Sequence, residues 1–225
     1  MRDLLRDPND TSQVFRLIDA LSGPTPRHLR GRFAASRTGS RLLAERPRIL
    51  DRLVDHEQLA ALPAGSLGRA YLEFMTAGGL TPDGLVEASE ALGPAHEGTD
   101  DAAWIGQRMR DTHDLWHTVT GYRGDLIGES SLLAFSYAQT RTRGIGLIAA
   151  VAIVRAEDPD DRRLMLDGFV RGLRAAWLPA VPWEELLAED LEAVRARLRV
   201  GPPPPYVPLW THELPAGGLW ARNAA

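Results

Sequence analysis

Residues 99–129, TDDAAWIGQRMRDTHDLWHTVTGYRGDLIGE, carry the reading that decides the fold. Thr99, Asp100 and Asp101 offer a cap and acidic groups suited to the positive end of a helix. The residues that follow predict one long helix to about Thr120, with Gly121 as its terminator. Gly124-Asp125 can begin a second helix over 125–140. The result is an antiparallel helix–turn–helix hairpin.

Working outward, the punctuation predicts helices throughout. Thr11 or Ser12 can cap a helix with Val14, Phe15, Ile18 and Leu21 at helical spacing, ending before Gly23-Pro24. Pro47 suits the first turn of a helix carrying Ile49, Leu50, Leu53 and Val54. Ser66 caps Leu67 to Thr76, stopped by Gly78-Gly79, and Thr81-Pro82-Asp83 is another helix start. The apolar run Ile145 to Val154 predicts a buried helix. Asp158-Pro159 opens a helix over 159–178, and Pro182 one over 183–199. Alternating strand patterns are almost absent. The expectation is an all-α chain, a single helical domain over residues 1–200. Residues 201–225, with Pro202 to Pro205, Pro208, Pro215 and Gly217-Gly218, are expected to form an extended tail on the surface.

Composition removes several classes of chemistry. The 225-residue chain has no cysteine, which excludes disulfides, thiolate metal sites and cysteine nucleophiles. All 26 of its basic residues are arginine, so Schiff-base and P-loop lysine chemistry are excluded too. Net charge is −4, against nucleic-acid binding by bulk electrostatics. The charge is uneven: residues 27–52 carry +6 and the remainder −10. The longest apolar run has ten residues, where a spanning helix needs about 20. The acidic N-terminus, with Asp3, Asp7 and Asp10, lacks the pattern of a transit peptide or secretory signal.

Within the hairpin, His113 and His117 are four residues apart, so on a helix both imidazoles leave one face. After eleven intervening residues, Glu129 falls about one turn into the antiparallel neighbour, where it could face the same point. Two imidazoles and a carboxylate suit zinc or another divalent ion. Asp114 could be a fourth ligand or an acceptor for an imidazole N–H. The competing reading is a plain hairpin with two satisfied histidines and solvated acids. A zincin comparison is weak, because Asp114 replaces the glutamate base and no third ligand pattern follows. Trp116, between the histidines, is expected to wall the site. His28, His56, His96 and His212 stand alone.

The string HDLWHTVTGYRGDLIGE resembles the signature of the ubiquinone biosynthesis protein Coq-four family: His-Asp, two residues, His, eleven residues, Glu. LPAGSLGRAYLEFMTAGGL at 62–80, ESSLLAFSYAQT and WEELLAEDLEAVRARLRV resemble further segments of that family, and the likeness spans roughly residues 12–209. The resemblance implies an all-helical, metal-binding protein associated peripherally with membranes. It implies action on prenylated hydroxybenzoate precursors of coenzyme Q at ring carbon 1, with loss of the carboxylate and, for some members, oxygen insertion. Carried over residue by residue, the resemblance makes His113, Asp114, His117 and Glu129 the metal ligands. The same four are the expected catalytic residues, with zinc as the expected ion, and the chemistry makes Asp114 the candidate proton shuttle.

The expected partners are the prenylated quinone precursor, other ubiquinone-biosynthesis enzymes, a membrane surface and a second copy in a homodimer, with no nucleic acid. Without a transit peptide, a bacterial member is expected, in the cytoplasm at the inner face of the cytoplasmic membrane. The 145–154 helix and the arginine-rich stretch gain a reading as an apolar groove and a headgroup-docking surface. The alternative function is a noncatalytic lipid-binding scaffold whose metal is structural. A zincin-like hydrolase comes third.

Overall fold

A computed structural model describes residues 27–78 and 100–210. Among these residues there are twelve α-helices, one short 3₁₀-helix (Leu178–Ala180) and no strand. They are α1 (Arg27–Ala34), α2 (Arg37–Glu45), α3 (Leu50–Leu53), α4 (His56–Ala61), α5 (Leu67–Ala77), α6 (Asp101–Asp111) and α7 (His113–Thr120). Then follow α8 (Leu126–Thr140), α9 (Arg143–Arg155), α10 (Pro159–Arg174), α11 (Trp183–Leu186) and α12 (Leu191–Leu198). The all-α expectation holds. The helices expected after Thr11 and after Thr81 lie outside the described residues.

The helix starts read from sequence are real where they can be seen. The Ser66 hydroxyl accepts from the Arg69 amide, Asp100 from Ala103, Asp125 from Ile127 and Gly128, and Asp158 from Asp160. Each satisfies amides that a helix start leaves without a partner. Pro47 differs, since α3 begins only at Leu50 and leaves the proline outside its first turn.

Two helices expected to be continuous are broken. The long helix over 99–120 is interrupted at Thr112, whose backbone sits at φ −93°, ψ 0°. Its hydroxyl bonds back to the Arg108 carbonyl at 2.8 Å, a contact that bends helices. The helix expected over 183–199 splits into α11 and α12, and the loop between them has a task. The carbonyls of Leu187 and Glu189 accept from the amides of Gly68 and Leu67, and Leu191 donates to the Gly65 carbonyl. The break therefore completes the start of α5. Helix α10 also ends early, at Arg174, because the next residue is extended.

The main core gathers Tyr71, Leu115, Trp116, Phe135, Trp183 and their neighbours from α3 to α12. A smaller cluster joins Phe33, Leu42, Trp104 and Ile105. Its edge is Phe33 against Trp177, with ring centroids 4.9 Å apart. The closest helix pair is α8 on α10. A Cβ on Gly168 would lie 2.6 Å from the Ser131 carbonyl oxygen, and one on Gly172 would lie 2.5 Å from that of Phe135. Those two glycines, one turn apart, let the backbones touch.

One expectation is corrected here. Helix α9 forms, but it is not buried: within 145–154 only Ala149 is buried, and Val154 is 77% exposed. On α10, Leu166, Val170 and Leu173 are also exposed at helical spacing. The arginine-rich stretch, by contrast, is largely engaged within the protein. Arg30 and Arg46 both pair with Asp101 at 2.7 Å, Arg41 with Glu185 at 2.5 Å, and Arg32 lies 4.4 Å over the Trp177 ring. No helix among the described residues is long and apolar enough to cross a membrane.

Candidate metal centre

The hairpin folds as expected around its turn. Gly121 takes φ +77°, a left-handed conformation that ends α7 and that other residues rarely adopt. The carbonyls at the end of α7 would normally face solvent unpaired. Here His117 accepts from the Gly121 amide, Thr118 and Val119 accept from the Arg195 guanidinium at 3.0 Å each, and Thr120 accepts from Arg171 at 2.9 Å. Arginines from α10 and α12 thus fix the turn from which the site is built. Arg171 also lies 4.9 Å over the Tyr122 ring.

That turn aims His117. Its Nδ1 donates to the Tyr122 carbonyl at 3.0 Å, and a carbonyl can only accept. In a neutral imidazole, Nε2 then carries a lone pair. Nε2 is buried, has no aligned hydrogen-bond partner, and sits 3.1 Å from Glu129 Oε1. An imidazole lone pair and a carboxylate oxygen repel at that distance unless a cation lies between them, either a proton or a metal ion. On the first turn of the same helix, the Asp114 carboxylate holds Nδ1 of His113 at 3.1 Å. That leaves His113 Nε2 facing Glu129 Oε2 at 3.9 Å. Both histidines therefore have one nitrogen anchored and the other turned to the same carboxylate, the usual preparation of imidazoles for a metal.

His113, His117 and Glu129 offer ligand atoms that all lie within 4.8 Å of one another, so this group could hold a metal ion. The donor set of two nitrogens and one oxygen suits zinc and related divalent ions. Asp114 is not among the three that converge; its carboxylate is on His113. The site is open on one side, because His117 is buried while the side chains of His113 and Glu129 are each 42% exposed.

The charges are strongly coupled. Burial acts to lower His113, but the Asp114 hydrogen bond and the Glu129 and Asp114 charges outweigh it and raise its pKa to about 9. Burial acts to raise Glu129, but His117 and His113 prevail and hold it at about 2.

Several neighbours could not be found from spacing. The Phe74 ring on α5 stacks on the His117 imidazole. One turn earlier, the Tyr71 hydroxyl is buried without a hydrogen-bond partner. Burial and the charges of Asp114 and Asp111 push its pKa upward. Trp116 does not wall the site. It is 2% exposed, belongs to the core and meets Phe135 edge-on. His28 instead meets the Thr140 carbonyl at 2.7 Å, and His56 begins α4; His96 and His212 lie outside the described residues.

An all-helical chain with a His/His/Glu cluster on a helical hairpin is a candidate metalloprotein of a narrow kind. The chain belongs to the family described as coenzyme Q (ubiquinone) biosynthesis protein Coq4, which it matches over residues 3–204. It is 32% identical over 207 residues to the mitochondrial ubiquinone biosynthesis protein COQ4 of Pyricularia oryzae, covering 89% of this chain and 66% of that one. It is also 32% identical over 195 residues to its counterpart from Neurospora crassa, covering 85% and 51%. The chain thus spans from about half to just under two thirds of the length of these relatives. Among solved structures it is similar to a candidate ubiquinone biosynthesis protein of Nostoc punctiforme, with a TM-score of 0.64 and 25% identity over 89% of this chain and 94% of that one.

Proposed function

We propose that the protein is a metal-dependent enzyme of ubiquinone biosynthesis that removes the C1 carboxylate of a prenylated 4-hydroxybenzoate. His113, His117 and Glu129 would hold the ion, which when bound supplies Lewis acidity for the substrate carboxylate or phenol. The observation that carries this reading is the unpartnered, buried Nε2 of His117 facing Glu129, in a cluster with an open side. Three protein ligands and an open side suit a catalytic site, whereas a structural site is closed by four.

The remaining work falls to the chain. Phe74 holds the plane of His117, and Asp114 sets the orientation of His113. In the reaction, a proton is added at ring carbon 1 while the para-hydroxyl pushes electrons into the ring. The bond from carbon 1 to the carboxylate then breaks, carbon dioxide leaves, and its electron pair restores the aromatic ring. Asp114, whose carboxylate lies 3.1 Å from His113 Nδ1, is assigned the proton. In the oxidative form of the reaction, dioxygen and an external two-electron donor are the co-reactants: one oxygen atom becomes the hydroxyl on carbon 1 as carbon dioxide leaves, and the other is reduced to water.

A prenylated substrate resides in a bilayer, so the enzyme has to reach it there. The exposed apolar residues of α9 and α10 support a peripheral docking role better than the arginine-rich stretch, in which Arg30, Arg41 and Arg46 already face acids.

The test is a single-turnover assay of zinc-loaded protein with a prenylated 4-hydroxybenzoate in detergent, following carbon dioxide with and without oxygen. Release that vanishes in His117→Ala establishes the activity, and its oxygen dependence selects the form. Tight lipid binding without release supports the scaffold reading instead.

A further inference from the structure

The residues after α12 are stitched to the ligand hairpin. Arg199 at φ +54° and Gly201 at φ +74° reverse the chain, which then runs extended across the α7–α8 turn. The carbonyls of Val200 and Pro202 accept from Arg171 at 3.1 Å each. The Pro203 ring occupies the place where a Cβ on Gly121 would fall, 2.4 Å away. Farther along, the Tyr206 hydroxyl accepts from the Arg123 amide at 2.8 Å and donates to Asp125 Oδ2 at 2.6 Å. The Leu209 amide donates to Asp125 Oδ1 at 3.0 Å, and the Leu209 carbonyl accepts from the Leu126 amide at 3.0 Å.

Asp125 is where this strap meets the centre. It is 1% exposed, so every bond to its carboxylate is made out of water. Oδ1 also caps α8 through the amides of Ile127 and Gly128, at 3.0 and 3.3 Å. Its carbonyl accepts from the amide of Glu129 at 2.8 Å. The depth and rotation of the first turn of α8, and with them the Glu129 carboxylate, follow the position of Asp125. The approach is close: a Cβ on Gly128 would come within 2.6 Å of the Tyr206 hydroxyl.

We infer that Tyr206 is a positioning residue of the metal centre, holding Glu129 in register with His113 and His117 through Asp125. The inference rests on the reading that those three side chains bind a divalent ion. Removing a group that orients a metal ligand typically weakens metal binding by about 10–100-fold. Tyr206 acts at one remove further, so the lower end of that range is expected.

The test uses cobalt(II) as the probe on the full chain, with affinity from chelator competition and geometry from the visible absorption bands. Tyr206→Phe is expected to bind cobalt about tenfold more weakly, with its spectrum moved toward that of Glu129→Gln. In the Glu129→Gln background, the same substitution should cost less than about twofold, because the carboxylate it positions is gone. Leu209→Pro removes another donor to Asp125 and should shift the spectrum the same way by less; it carries the test if Tyr206→Phe does not fold. A Tyr206→Phe spectrum and affinity equal to the parent, or an equal loss in both backgrounds, overturns the positioning role alone. If the parent chain binds no cobalt, the metal centre itself is wrong and this role falls with it.

Discussion

Phe74 and His117 lie nearly parallel, with ring centroids 5.2 Å apart and planes 17° from each other, although 43 positions separate them in sequence. The stack closes the remaining freedom of an imidazole whose Nδ1 is already held by Tyr122. Stacked aromatic pairs are worth about 0.5–1.5 kcal/mol beyond the area they bury. Phe74→Leu keeps much of the apolar contact and loses the stack. It should weaken zinc binding about 2–10-fold, by the equivalence of 1.4 kcal/mol to a factor of ten. Chelator competition measures this, and an unchanged affinity would remove Phe74 from the site.

The coupled charges predict a pH profile for the metal-free protein. His113 is raised from 6.5 to about 9, so its stabilising contribution is complete below pH 6.5 and is lost as pH climbs through 9. Glu129 is lowered from 4.5 to about 2, so its contribution is complete above pH 4.5 and is lost as pH falls through 2. These two groups therefore give most between pH 4.5 and 6.5. Thermal melts in chelator across and beyond this range should show the plateau, and His113→Gln should erase its alkaline limb and weaken the acid limb, which His117 still supports.

Metal loading should expel a proton. At pH 7 the metal-free His113 is protonated, and a coordinating imidazole has to be neutral. Calorimetry of zinc binding in buffers of different ionisation enthalpy should detect that proton among those released. His113→Ala should remove it from the total and weaken binding, and release unaffected by that substitution would place the ion elsewhere.

Arg195 should matter for stability far from any chemistry. It is nearly buried, pairs with Glu192, and satisfies two carbonyls at the end of α7. Arg195→Met strands both acceptors at a cost of about 2–3 kcal/mol. For a chain of this length that corresponds to roughly 5–10 °C in Tm. A melt within one degree of the parent would show that solvent replaces the guanidinium at no cost.

Docking through α9 and α10 is tested by charge. Leu166→Asp with Leu173→Asp should abolish flotation with anionic vesicles, while Arg37→Ser with Arg52→Ser should leave most of it. Retention by the aspartate variant, or a loss of dimer instead of vesicle binding, would assign that apolar face differently.

The His/His/Glu cluster was legible because its information is local. His113 and His117 share a helix, Glu129 follows one short turn, and Gly121 and Asp125 mark that turn with backbone requirements few other residues meet. Phe74, Arg171, Arg195 and Tyr206 were not legible. Each reaches the hairpin from another element, and nothing in its own neighbourhood marks the contact. The same limit explains one of the two broken helices. A helical period continues through Thr112, where the residue's own hydroxyl bends the helix, and through residues 187–190, where partners on another element interrupt it. Helix α9 shows the reverse case, since an apolar run reports hydrophobicity and not whether anything covers it.

The two arginines that finish α7 also set an order of events during synthesis. His113, His117 and Glu129 have all left the ribosome long before Arg171 and Arg195 are made. Until α12 has emerged, the last carbonyls of α7 lack their guanidinium partners and the hairpin has little to hold its turn. The turn that brings His113, His117 and Glu129 together is thereby fixed only after α12 has been made, well after its own residues have left the ribosome.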